Sequence, residues 1–192
     1  MATIQQTHLP ILNSPAQVLI LPVNNSGTLL DPVLTRCKTL YSDNYQRYHR
    51  ACRDSSLTVG SCLLHKRQRE QVGLSASHNG NQPSYIANLI ISDHPYHPTR
   101  TRWLTTALVD LQLQLMPLIR YQGVRKVALL ARPLTSDNPS INDTNRDKTA
   151  LVHDMSRTPL DWQTEVLPLI IEYLQDLPKL HVDIHLPKSI DI

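Results

Sequence analysis

Short apolar runs alternate with helical periodicities along the chain, the sequence form of an α/β domain. VLILPV at 18–23 is a continuous apolar run and suits a strand buried on both faces. Pro22 removes one ladder donor, which predicts that the strand ends or reaches a sheet edge there. NNSG at 24–27 breaks the run. A helix is expected from 32 to 40 with Pro32 in its first turn. After the Ser42-Asp43 interruption, a second helix carries Tyr45, Tyr48, Ala51 and Cys52.

Residues 61–64 read as a short strand, 65–83 as a polar loop, and SYIANLII at 84–91 as the next buried strand. From 99 to 121, Trp103, Leu104, Ala107, Leu108, Leu111, Leu115 and Leu118 recur at helical spacing. Pro117 predicts a kink in its last turn, and Gly123 its end. A third buried strand covers 124–131. Residues 132–160, with Pro133, Pro139 and Pro159 among Asn and Asp, form a long loop insertion that is either functional or mobile. Asp161 is placed to cap a helix reaching about 176. Finally Leu180, Val182, Ile184 and Leu186 alternate with His181, Asp183 and His185, which predicts a strand with one buried face.

Composition narrows the class without assigning an activity. The chain of 192 residues is 41% hydrophobic with a formal net charge of +3, which suits one ordered domain over 1–192. No apolar run approaches the roughly 20 residues that cross a bilayer, and the N-terminus lacks the pattern of a secretory signal. Cys37, Cys52 and Cys62 are odd in number and contain no C-x-x-C pair, so a reducing cytoplasm is expected and a disulfide scaffold is not.

Charge is segregated. Between 36 and 70, Arg36, Lys38, Arg47, Arg50, Arg53, Lys66, Arg67 and Arg69 stand against Asp43, Asp54 and Glu70. Residues 151–192 are acidic in balance. The basic block is either a surface for a protein or nucleic-acid partner or a solvated helix face followed by a basic turn; no membrane partner is expected.

VNNSG at 23–27 resembles the first ligand loop of macro domains, which bind ADP-ribose. The branch it is most similar to is that of the DNA ADP-ribosyl glycohydrolase antitoxins and their protein-directed relatives. There, V-N-x-x-G-x-M-G-K-G leads into a helix, F-P-x-x-F-x-x-Y and a later Cys; here VNNSGTLLDP at 23–32 is followed by YSDNYQRY at 41–48 and by Cys52. Tyr85-Ile86-Ala87-Asn88 is similar to the family's Y-I-x-N strand. Asp93-His94 and Pro98-Thr99-Arg100 resemble T-K-x-H-W-R and the segment after it, and Leu160-Asp161-Trp162 with Val166 resembles L-x-W-x-x-V. The resemblance covers nearly the whole chain in order. It implies a three-layer α/β/α sandwich around a mixed sheet.

The same resemblance implies altered chemistry. Family members hold diphosphate on glycine-rich loops whose N–H groups cradle anions. Here Leu30-Asp31-Pro32 stands in place of G-K-G, so both glycines and the catalytic lysine are absent, Asp31 brings a carboxylate, and Pro32 offers no N–H. The second glycine loop is replaced by the segment ending at Thr158-Pro159-Leu160, and Pro10 stands where the acidic residue reads adenine. A non-catalytic binding module for an ADP-ribose-like nucleotide, or for an ADP-ribosylated or protein target, is therefore expected. The other readings are a glycohydrolase with rebuilt loops, and a regulatory or structural subunit of a defence or toxin–antitoxin system.

Five residues are the ligand-binding candidates: Asn24, Asn25, Gly27, His94 and Thr158. Asn24 either touches the distal ribose or satisfies the backbone of a turn. Gly27 either lies against a ligand or simply permits a positive φ. Asn24 and Asp31 are the candidates for catalysis, Asp31 as a base if substrate is held within its reach. Asp93, His94 and His97, and likewise His181, Asp183 and His185, have metal-ligand chemistry without the spacing of known zinc patterns, so no metal or cofactor is assigned. Trp103 and Trp162 are expected as core anchors.

Overall fold

The computed structural model describes residues 1–67, 82–135 and 159–190. Its strands are β1 (Thr3–Thr7), β2 (Val18–Asn24), β3 (Cys62–Lys66), β4 (Tyr85–Ser92), β5 (Lys126–Leu130) and β6 (His181–His185). Its helices are α1 (Pro32–Leu40), α2 (Ser42–Arg53), α3 (Thr101–Tyr121) and α4 (Leu167–Leu174). The strands form one mixed sheet in the order β1-β6-β5-β2-β4-β3. Every pair is parallel except β3 with β4.

The period-2 alternation of β2 and β4 sorts their apolar side chains to two layers. Val18, Ile20, Ala87 and Leu89 pack with Leu104, Leu108 and Leu111 of α3 and Ile170 of α4. Leu19, Leu21, Ile86 and Ile90 pack with Leu34 and Cys37 of α1 and Tyr48 of α2. The result is helices on both faces of the sheet, the expected α/β/α sandwich. Within the second layer Asn44 and Asn88 exchange amide hydrogen bonds at 3.1 and 2.8 Å, and Asn88 also donates to the Leu63 carbonyl at 3.2 Å. That buried pair is satisfied, as burial of polar groups demands.

Two expectations are corrected, and two others are filled in by the helices. Pro22 neither ends β2 nor lies on an edge strand: β2 continues to Asn24 in the middle of the sheet. Its pairing with β5 stops at Ile20, however, so at Pro22 only β4 is a neighbour, and a residue without an N–H is tolerated there. Helix α3 runs through Pro117 to Tyr121; Pro117 and Leu113 are both exposed, so the bond lost to the ring faces water. Gly123, at φ +66°, follows the helix as expected. The helix capped by Asp161 begins as a π-helical turn over Trp162–Val166 before α4, with Asp161 accepting from the Thr164 N–H at 2.8 Å and Glu165 accepting from the Asp161 N–H at 2.8 Å. Trp162 is buried and its ring nitrogen donates to Gln6.

The second correction concerns β6, which is buried on both faces. It lies between β5 and β1, the latter a strand of sequence TIQQT that carries no apolar signature. Asp183 is only 5% exposed; Gln5 donates to it at 2.6 Å, and Lys126 and His181 pair with it at 3.1 and 3.0 Å. Burial pushes the Asp183 carboxyl up, but Lys126, Gln5 and His181 together outweigh burial and hold it below the ordinary carboxylate range. A depressed pKa in the folded state means stability that is present above the unfolded carboxylate pKa and lost as pH falls through the folded one. Acid unfolding followed by circular dichroism should therefore show an acid limb below about pH 4 that Asp183→Asn flattens. An unchanged limb in that variant contradicts the assignment.

Candidate functional site

A crevice opens at the carboxyl ends of β2, β4 and β5, where open α/β sheets place their ligands. Asn24, Thr28, Leu30 and Asp31 form one wall, Ser92 and 95–99 a second, and 133–135 with Pro159 and Leu160 a third. Its volume is about 80 Å³, below the roughly 300–1,000 Å³ of pockets that engulf a drug-sized ligand.

Asn24 stands at the end of β2 and is 5% exposed. Its side chain is spent on its own loop. Oδ1 accepts from the Ser26 N–H at 3.1 Å, the Ser26 hydroxyl at 2.8 Å and the Gly27 N–H at 3.1 Å, while Nδ2 donates to the Thr28 carbonyl at 2.7 Å. Its backbone carbonyl accepts from the Tyr48 hydroxyl at 2.5 Å, tying the loop to α2. The turn role read from the sequence is thus the one its bonds fill.

Gly27 adopts φ +80°, which favours glycine. A Cβ on it would meet His49 and Cys52 of α2 at 3.3 and 3.4 Å, so the glycine allows the loop to close on the helix. Asn25 donates its N–H to the Ser92 carbonyl at 3.1 Å. His94 accepts from the Tyr96 N–H at 3.3 Å and packs its ring against Tyr96 and His97. Of the candidates, Asn24 and Asp31 line the crevice; Asn25, Gly27 and His94 do not, and Thr158 falls outside the described residues. Tyr96, which the sequence did not single out, and His97, which it named only for metal-ligand chemistry, do line it.

Asp31 carries the chemistry of the first loop. Oδ1 accepts from the Val33 and Leu34 N–H groups at 2.8 and 3.2 Å, capping α1. Oδ2 lies 3.0 Å from Nε of Arg132 in an ion pair rather than an aligned hydrogen bond. Its side chain is 8% exposed. The first N–H groups of a helix are where an external anion binds. In this chain they already face a carboxylate, and Pro32 contributes none. As a base Asp31 is poorly placed, since both oxygens are engaged.

Asp31 belongs to the crevice, whereas Pro32 and Arg132 line a second cavity of about 520 Å³. The ion pair therefore stands between the two spaces. The second cavity lies against 8–12, Val33 and Arg36 of α1, Leu130, His185 at the end of β6 and 186–188 after it. His185 is 5% exposed; its Nδ1 donates to the Leu9 carbonyl at 2.7 Å, and burial lowers its pKa, which favours the neutral imidazole.

No thiol is poised as a nucleophile. Burial pushes Cys37, beside Asp31, and Cys62 up to about 12, and burial also raises Cys52. Among the described residues no group of three or more His, Cys, Asp and Glu is placed to hold a metal ion. His97 pairs with Asp93 at 2.8 Å instead. In the basic block, Arg47, Arg50 and Arg53 lie on the exposed face of α2, whereas Asp43 is taken up by His65 at 3.0 Å and Arg67 at 3.4 Å. Among the described residues no helix is long and apolar enough to cross a membrane.

No family model matches the chain. In sequence it is 30% identical over 119 residues to the DNA ADP-ribosyl glycohydrolase of Thermus aquaticus, a match covering 62% of this chain and 29% of that protein. In structure it is similar to the macrodomain of Thermus aquaticus DarG, with a TM-score of 0.68 and 24% identity over 97% of this chain and all of that one. The macrodomain of Mycobacterium tuberculosis DarG superposes with a TM-score of 0.70 at 18% identity, over 98% of this chain and 100% of the other. Thermosipho africanus DarTG in complex with ADP-ribose gives 0.69 at 20% identity, over 98% of this chain and 43% of that chain.

Proposed function

We propose that this chain, whose fold is that of the macro domains, works by binding and not by hydrolysis: it is a module for an ADP-ribose-like nucleotide, or for an ADP-ribosylated or protein target, in the cytoplasm. One observation carries the reading. The N-terminus of α1, which in the family's pattern faces a bound anion, is capped by Asp31 and flanked by Pro32. A diphosphate placed there meets a fixed negative charge in a partly desolvated site, where charge repulsion is less screened than in water. The loss of the lysine and both glycines at 30–32 supports the same conclusion. So does the engagement of Asn24 by its own loop.

A glycohydrolase with rebuilt loops is the second reading, favoured by the name and 30% identity of the Thermus aquaticus relative. Calorimetric titration with ADP-ribose, together with incubation against ADP-ribosylated single-stranded DNA, separates the two. The binding reading expects no released ADP-ribose and an association with the free nucleotide weaker than micromolar. Turnover of the modified DNA overturns it in favour of the hydrolase.

A further inference from the structure

We infer that the outer face of α3 and α4 is a two-fold interface with a second copy of this chain, α3 of each copy lying antiparallel to α4 of the other. The inference stands apart from the nucleotide-binding reading, because this layer covers the face of the sheet opposite α1 and α2. Apolar exposure gathers here. Leu113 is 68% exposed, Tyr121 78%, and Val109 and Ile171 both 38%. The exposed positions of α2, by contrast, are Ser42, Gln46, Arg47, His49, Arg50 and Arg53, all polar. Along α3, Val109, Leu113 and Met116 follow the alternating 4-and-3 spacing that puts side chains in one row. Arg102 and Thr106 continue that row at one end and Arg120 at the other, over about 27 Å. Apolar surface collected on one outer face marks an interaction site.

Charge says what covers it. Arg102 and Arg120 are exposed, and neither joins an ion pair among the described residues. The one acid of α3, Asp110, is taken up by the Cys62 N–H at 2.7 Å and by Gln114 at 3.1 Å. Residues 161–178 are the converse: they contain no Lys or Arg, Lys179 being the first cation beyond them, and they expose Asp161, Glu165, Glu172 and Asp176. Both helices link parallel strands and pack on the same face, so they run in the same direction. A two-fold axis perpendicular to the sheet reverses that direction in the second copy. Each α3 then meets the other's α4 antiparallel, with Arg120 toward Glu165 and Arg102 toward Asp176, and symmetry makes every contact twice. Pairing α3 with α3 about its apolar row would instead set Arg102 against Arg120 of the second copy, which like-charge repulsion disfavours.

Sedimentation equilibrium of the 192-residue chain tests this. The average mass is expected to rise with concentration from 21.8 kDa toward twice that value, and the rise should weaken as salt increases. Leu113→Glu should hold the chain at 21.8 kDa with an unchanged urea midpoint, because that side chain is 68% exposed. Arg102→Glu and Asp176→Arg should each weaken the dimer by about tenfold or more. Mixing those two variants should restore it, since every changed charge then faces its opposite. Arg47→Gln, on α2 in the other layer, should change nothing. A mass fixed at 21.8 kDa leaves this face to some other partner and overturns the inference. So do a dimer that survives Leu113→Glu, charge variants that self-associate like the parent or fail to pair when mixed, and an equal loss in Arg47→Gln.

Discussion

Asp31→Ser should raise the affinity for ADP-ribose by about tenfold or more while keeping most of the stability of the fold. The serine hydroxyl can still accept from the Val33 or Leu34 N–H, so α1 remains capped. What disappears is the negative charge beside the helix N-terminus, and Arg132 is released from its 3.0 Å contact. A diphosphate would then meet one new cation and one anion fewer. Asp31→Ala provides the contrast. It removes the charge as well, but it also removes the cap, at a cost of about 1–2 kcal/mol that urea unfolding would detect. Calorimetry on both variants separates charge from capping: if neither binds ADP-ribose more tightly than the parent chain, the carboxylate is not what keeps diphosphate out.

Asn24→Ala should cost about 2–4 kcal/mol of stability, a large effect for a loop residue. Its side chain makes four hydrogen bonds within 24–28, and the position is 5% exposed. Truncation strands the buried Gly27 N–H, which then carries its full desolvation penalty, and removes the bonds that hold Ser26 and Thr28, which are exposed. Asn24→Asp is expected to be damaging too, because the donor to Thr28 becomes an acceptor facing an acceptor. Equilibrium urea unfolding reads both. A variant as stable as the parent would mean that Asn24 does not build the loop.

The legibility of the site followed the locality of its chemistry. The cap at Asp31 involves a residue and its next three, and Pro32 at the first helical position is visible in the sequence alone. The partner of that carboxylate, Arg132, is 101 positions away at the end of a different strand. Nothing in the residues around either one couples them. The second cavity is built from four separated stretches of chain for the same reason, and its charge pattern became readable only once 8–12, Arg36, Arg132 and Lys188 met.

The fold divides along the same line. Apolar periodicity located β2, β4, β5, α1 and α3 to within a few residues, because each of these buries a face whose spacing is its own. β1 escaped notice because its five residues, TIQQT, hold together by pairing in register with β6 and not by an apolar face. With β1 in place β6 became an interior strand, and Asp183 and His185 were buried by neighbours rather than by their own hydrophobicity. Pro22 likewise depended on where β5 stops, a property of the neighbouring strand. Local residue pattern was enough to tell which segments bury apolar surface, where α1 starts, and that Asp31 and Pro32 present no bare backbone to an anion. Which charges stand opposite one another depended on the folded arrangement, since electrostatic partners are chosen by distance in space and hydrophobic spacing carries no record of them.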